Sequence, residues 1–195
     1  MTNMRKKIAF SALFCAAVLL FSGVVAAETK MLWSYSGKSL NDTTVRPVML
    51  GPGGMGEMVK FTAPSQNWKI KEVHIPGTDG WNETENTLPP SETISLEIRD
   101  KDLNLIHHWS DVQIDYFTFP TGFGVAVIEV PSITVNGDFY VIFYDRGAVL
   151  TLAELENVNG NSFIYNRVTK EYVNAQLIRD NQTIPVNWLI GVVGE

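Results

Sequence analysis

Cysteine, histidine and basic residues are all scarce in this 195-residue chain, and no stretch keeps a helical period for three turns. The single cysteine, Cys15, rules out a disulfide framework, so packing must hold the fold. The three histidines are His74, His107 and His108. His107 and His108 are adjacent on an extended stretch and face opposite sides, so only one of them could join His74 across strands. Two such ligands fall short of the three or four protein ligands of a zinc site. Gly-x-Ser-x-Gly and His-Glu-x-x-His are absent. The glycine run Gly51-Pro52-Gly53-Gly54-Met55-Gly56 is followed neither by Gly-Lys-Ser/Thr nor by a helical pattern, which reads as a loop, not a phosphate cradle.

One long uncharged run is present, and it lies at the N-terminus. Arg5, Lys6 and Lys7 precede Ile8 to Val25, which carries no charge, and Val25-Ala26-Ala27 offers small residues at the −3 and −1 positions. This is the pattern of a secretory signal over residues 1–27, with an uncleaved N-terminal anchor as the alternative. Cleavage after Ala27 removes 27 of 195 residues and leaves 168, one domain with a sizeable core. Cys15 leaves with the signal. So do three of the 15 basic residues, which leaves 12 against 21 acidic, a net charge of −9. Such a surface repels nucleic acid and anionic lipid. No second apolar run is long enough to span a membrane.

The mature stretch, residues 28–195, reads as short strands between turns. The central one is Phe139-Tyr140-Val141-Ile142-Phe143-Tyr144, entered through the turn dipeptide Asn136-Gly137. Its unbroken apolar character predicts a strand covered on both faces, with Phe139, Val141 and Phe143 on one side and Tyr140, Ile142 and Tyr144 on the other. Ile94, Leu96 and Ile98 alternate with Thr93, Ser95, Glu97 and Arg99, which predicts the first set inside and the second in solvent. Asp100-Lys101-Asp102 then turns the chain into a hairpin partner, Leu103 to Trp109. Around Lys71-Glu72 the apolar parity slips from Trp68 and Ile70 to Val73 and Ile75, the mark of a β-bulge. Further strands are expected at Gly124 to Val130, closed by Pro131, and at Ser162 to Asn166, Glu171 to Arg179 and Asn187 to Val193. Leu150 to Val158 is the one place for a short helical turn. The pattern is all-β, an antiparallel sandwich with a closed barrel as the alternative.

The loop Gly77 to Glu92 is longer than a connection requires and carries Asp79, Trp81, Asn82, Glu83 and Glu85. Carboxylates this close suit calcium, a hard ion bound by oxygens, with Asp79, Glu83 and Glu85 as metal ligands. Trp81 and Asn82 are the candidate ligand-binding pair, an aromatic face with an amide beside it for a sugar. Asn41, Asn82 and Asn181 each open an Asn-x-Thr glycosylation triplet. Asp111 and Asp115 lie roughly 13 Å apart on an extended chain. That is too far for the carboxylate pair of a glycoside hydrolase, about 5 to 9.5 Å, unless the chain bends between them.

Six pieces in one order carry a family likeness: Trp33-Ser34-Tyr35, Val59 to Pro64, Leu96 to Asp100, Val135 to Val141, Asn161 to Tyr165 and Asn187-Trp188-Leu189-Ile190. The chain resembles the poorly characterised jelly-roll modules of exported archaeal and bacterial proteins, which stand alone or are appended to secreted peptidases and surface proteins. Where those modules close on Met and Arg after the tryptophan, this chain has Leu189 and Gly191. The resemblance implies a jelly-roll β-sandwich and an accessory role in carbohydrate or surface attachment, and it brings no catalytic residues. The expectation is therefore a secreted or cell-surface, non-enzymatic module that binds glycan or mediates adhesion. The alternatives are a sandwich-fold hydrolase working through paired carboxylates and a purely structural envelope component.

Overall fold

The computed structural model describes residues 28–84, 87–179 and 181–195, so the expected signal segment, residues 1–27, lies outside it. In chain order the strands are β1 Lys30–Trp33, β2 Val45–Val48, β3 Met55–Thr62, β4 Trp68–Thr78, β5 Thr93–Asp100 and β6 Leu105–Val112. A short helix, α1 Ile114–Phe117, precedes β7 Gly124–Val135, β8 Asp138–Tyr144, β9 Leu150–Glu154 and β10 Ser162–Asn166. The remainder are β11 Glu171–Asn174, β12 Gln176–Arg179, β13 Gln182–Pro185, β14 Asn187–Trp188 and β15 Gly191–Gly194.

These strands form two large antiparallel sheets. One has six strands in the order β11-β10-β3-β8-β5-β6. The other has seven, β1-β15-β4-β9-β14, with β7 on the free side of β4 and β2 on β9. A small hairpin, β12–β13, stands apart. Inward residues of both sheets join in one core. Val59, Ile94, Leu96, Ile98, Phe139, Val141 and Phe143 come from the six-stranded sheet, and Trp68, Ile70, Val73, Ile75 and Ile128 from the seven-stranded one. Burying each of the larger side chains contributes about 1.5–3 kcal/mol, so this layer supplies the main driving force that disulfides do not.

The central strand is as the sequence predicts. β8 lies between β3 and β5. Phe139, Val141 and Phe143 enter the shared core, while Tyr140, Ile142 and Tyr144 pack with Met58 and Tyr165 on the opposite face. The β5–β6 hairpin also forms, and Lys71 is the extra residue that shifts the β4–β15 register between Ile70 and Glu72.

Other expectations are corrected. Leu150 to Val158 begins as strand β9, not a helical turn, because Thr151 to Glu154 pair with β2 while β14 and β4 flank the other side. The strand expected to close at Pro131 runs on to Val135. Pro131 falls in the register irregularity of the β4–β7 ladder, between the paired residues Glu129 and Ile133, so its missing N–H leaves no ladder position empty. Glu171 to Arg179 is two strands, since Ala175 carries the chain from β10 to its own hairpin with β13. Asn187 to Val193 is likewise divided. β14 pairs with β9, and β15 pairs with β1 and β4. Ser95 and Glu97, expected in solvent, are buried.

Candidate functional site

The long loop after β4 closes against the segment around α1. Phe117 of α1 is fully buried, its ring 5.7 Å from that of Phe143. Gly77 makes room for it, because a Cβ there would stand 2.9 Å from both the Phe117 ring and the carbonyl oxygen of Leu150. With α1 docked this way, both ends of the loop are tied to it. At the start, the N–H of Asp79 donates to the carbonyl of Phe117 at 3.2 Å. Asp79 Oδ1 accepts the N–H of Trp81 at 3.0 Å, and Oδ2 accepts the Thr118 hydroxyl. At the far end, buried Gln113 accepts the N–H of Glu92 and donates from Nε2 to the carbonyl of Pro90 at 2.8 Å. The protein itself thus supplies the contacts that hold this extended loop.

Between the loop and residues 120–122 is an open cleft of about 400 Å³, lined by Thr78, Gly80, Trp81, Asn82, Glu83, Pro120, Thr121 and Gly122. Trp81 is half-buried, while Asn82 and Glu83 are exposed. Asn82 Oδ1 accepts both the N–H and the hydroxyl of Thr84 at 3.0 Å. That leaves its NH₂ as the end able to donate to a ligand. The volume is within the roughly 300–1,000 Å³ of small-ligand clefts.

The sequence-derived site residues are thus brought together in part. Trp81, Asn82 and Glu83 share the cleft, and Asp79 braces it from behind through its contacts to Trp81 and Thr118. Glu85 lies outside the described residues. Among the described residues no group of three His, Cys, Asp or Glu side chains is placed to hold a metal ion. His74 and the pair His107–His108 belong to different sheets, so the cross-strand histidine pair considered from sequence does not form. His74 Nε2 instead meets Glu72 at 2.7 Å. Asp111 accepts the hydroxyl of Tyr116 at 3.1 Å. Asn41, Asn82 and Asn181, the glycosylation triplets' asparagines, are all exposed on loops or turns.

A second constellation was invisible to alternation. On the outer face of the six-stranded sheet Glu97 is 1% exposed, yet it is a carboxylate. Arg99 holds its Oε2 through Nε at 2.8 Å and Nη2 at 2.7 Å, and Arg167 holds Oε1 at 3.1 Å. The Tyr144 hydroxyl donates to Oε2 at 3.1 Å. Burial, and then the charge of Glu97, push the Tyr144 phenol far above its ordinary value. Arg99 lies over the Tyr165 ring at 5.3 Å and Arg167 over the Tyr144 ring at 5.5 Å. Gly56 permits this layer, because a Cβ there would meet Ile142 at 2.5 Å and the Tyr144 ring at 2.8 Å.

Two further carboxyls sit inside. Glu57 is buried with the Thr151 hydroxyl as its partner, and desolvation raises its pKa well above the ordinary 4.5. Asp145 accepts the N–H groups of Leu50 at 2.7 Å, Gly51 at 3.1 Å and Gly147 at 2.7 Å. Burial nonetheless raises its pKa.

No protein-family model matches the chain, and no curated protein matches it. Among solved structures it is similar to the crystal structure of the cysteine protease and lectin-like domains of Cwp84, a surface layer associated protein of Clostridium difficile. The two are 10% identical, with a TM-score of 0.36, over 79% of this chain and 36% of that one. This chain therefore spans about a third of that protein's crystallised chain, and a likeness at this score transfers no property to it.

Proposed function

We propose that the chain is an exported β-sandwich module of jelly-roll type that binds carbohydrate through the Trp81 cleft and serves attachment at a cell surface. The observation that carries this reading is the position of Trp81. It is a half-buried aromatic on an open cleft, fixed through its own backbone N–H to Asp79. A sugar ring needs an apolar face to stack on and polar groups at its rim. Trp81 supplies the face. Thr78, Asn82, Glu83 and Thr121 supply hydroxyl, amide and carboxylate groups around it. Export rests on the basic segment and apolar run of residues 1–27. The sandwich assignment rests on two antiparallel sheets with one core between them.

The reading is tested by screening the purified protein on a glycan array, alongside Trp81→Ala, in buffers with calcium and with a chelator. Binding that Trp81→Ala abolishes supports the cleft. Binding of uncharged glycans that Trp81→Ala leaves intact removes it. The calcium arm reports separately on Asp79, Glu83 and Glu85 as ion ligands.

A further inference from the structure

We propose a second ligand site, on the outer face of the six-stranded sheet, that takes an acidic polysaccharide whose sugar rings carry carboxylates. It does not rest on the Trp81 cleft, which lies elsewhere and shares no lining residue with it. The site is an open cleft of about 590 Å³ lined by Arg99, Asp102, Leu103, Asn104, Leu105, Tyr165 and Lys170.

The first argument is charge. Glu97 is one carboxylate clamped by two guanidiniums, so the cluster to which Arg99 belongs keeps an excess positive charge. Asp102 is compensated by Lys101 at 2.8 Å. Asp100 is held ionised by the Asn104 side chain and by the N–H groups of Asn104 and Asp102. Lys170 sits in the tight turn between β10 and β11 with a φ of 62°, and no carboxylate of the described residues pairs with it. Of the residues lining the cleft, Arg99 and Lys170 are cationic and Asp102 alone is anionic, on a chain whose net charge is −6. A local excess of the opposite sign to the whole chain favours an anion there and not over the rest of the surface.

The second argument is preorganisation. Arg99 is fixed by Glu97, by the carbonyl of Leu103 at 2.7 Å and by the Tyr165 ring, so it pays little to meet a ligand. Its side chain is only 13% exposed, and it lines the cleft. The third argument is the shape of the wall. Leu103 and Leu105 offer an apolar side for a sugar ring's C–H face, and Asn104 and Asp102 offer polar atoms for its hydroxyls. An anion flanked by hydroxyls and one weakly apolar face describes a uronic-acid ring. A small inorganic anion would leave the apolar wall uncovered.

The test is titration calorimetry of the full chain at low ionic strength with an oligogalacturonate, with the same oligomer fully methyl-esterified, and with polyglutamate of matched charge. The oligogalacturonate is expected to bind at least tenfold more tightly than its ester, and to weaken as salt is added. Lys170→Glu, at an exposed turn where folding is not at stake, is expected to weaken it about tenfold or more, the effect of reversing one contacting charge. Trp81→Ala is expected to leave it unchanged, which separates this site from the other. Equal affinity for acid and ester overturns the proposal, as does an unchanged Lys170→Glu or a loss on Trp81→Ala. Polyglutamate binding as tight as oligogalacturonate, with the same Lys170 dependence, overturns the polysaccharide assignment in favour of an acidic peptide.

Discussion

Trp81 is held by Asp79, whose Oδ1 accepts the tryptophan's backbone N–H at 3.0 Å while Oδ2 accepts the hydroxyl of Thr118. One carboxylate thereby joins the aromatic of the cleft to the segment that follows α1. Asp79→Ala removes both bonds. It is expected to cost about 1–2 kcal/mol, the usual worth of charge-assisted hydrogen bonds in a partly exposed place. Amide exchange at Trp81 should accelerate at the same time. A variant whose Trp81 amide exchanges at the original rate would show that the loop is held by something else.

Phe143 is fully buried in the core shared by the two sheets and packs on Phe117 of α1. Phe143→Ala is expected to cost about 3–5 kcal/mol in a urea denaturation series. A loss below roughly 1 kcal/mol would place it at the periphery, since surface changes have that size.

Glu57 gives the fold a pH dependence of predictable sign. Its folded pKa is raised above the ordinary 4.5 by desolvation, so the folded protein keeps a proton that the unfolded chain has already lost. The associated stability is full below the unfolded value and is lost as pH rises through the folded one. Glu57→Gln keeps a polar partner for Thr151 without a charge to bury. It should match the parent protein near pH 4 and exceed it in urea midpoint at pH 8. A parent that gains stability relative to the variant as pH rises would reverse the assignment.

The strands legible in the sequence were those where one physical cause dominated. Phe139 to Tyr144 contain no charge, and a six-residue apolar run between turns has few places to go but the middle of a sheet. The slip at Lys71 was legible because parity is all that a bulge changes. Glu97 was misread because alternation marks the face a residue occupies, not whether that face is wet. What holds it is Tyr144 and Arg167, which come from far along the chain. The reading of Leu150 to Val158 failed for a related reason. Leu152 and Leu155 have helical spacing, but the partners of β9 are β2, β4 and β14, which no local window contains. Of the cleft, Trp81 and Asn82 could be named from loop length and composition. Residues 120–122, its opposite wall, had no such signal.

Export is expected to remove residues 1 to 27, because Val25-Ala26-Ala27 follows the basic segment and the apolar run. Mass spectrometry of protein recovered outside the cells of a secreting host should find an N-terminus near Glu28. Intact Met1 in the membrane fraction would mean that the segment is kept as an anchor.

The most direct test of carbohydrate binding at Trp81 is the glycan array read in parallel for the unglycosylated protein and for Trp81→Ala. Unglycosylated material is needed because Asn82, a glycosylation acceptor by its triplet, lines the same cleft. Loss of a stacked aromatic is expected to weaken glycan binding at least tenfold, since such residues carry much of the energy in small polar sites. Among glycans without carboxylates, which leaves aside the separate cleft at Arg99 and Lys170, the account predicts a defined bound set that disappears with Trp81→Ala while the melting temperature stays within a few degrees. An identical set retained by Trp81→Ala, or no bound glycan at all, would contradict it.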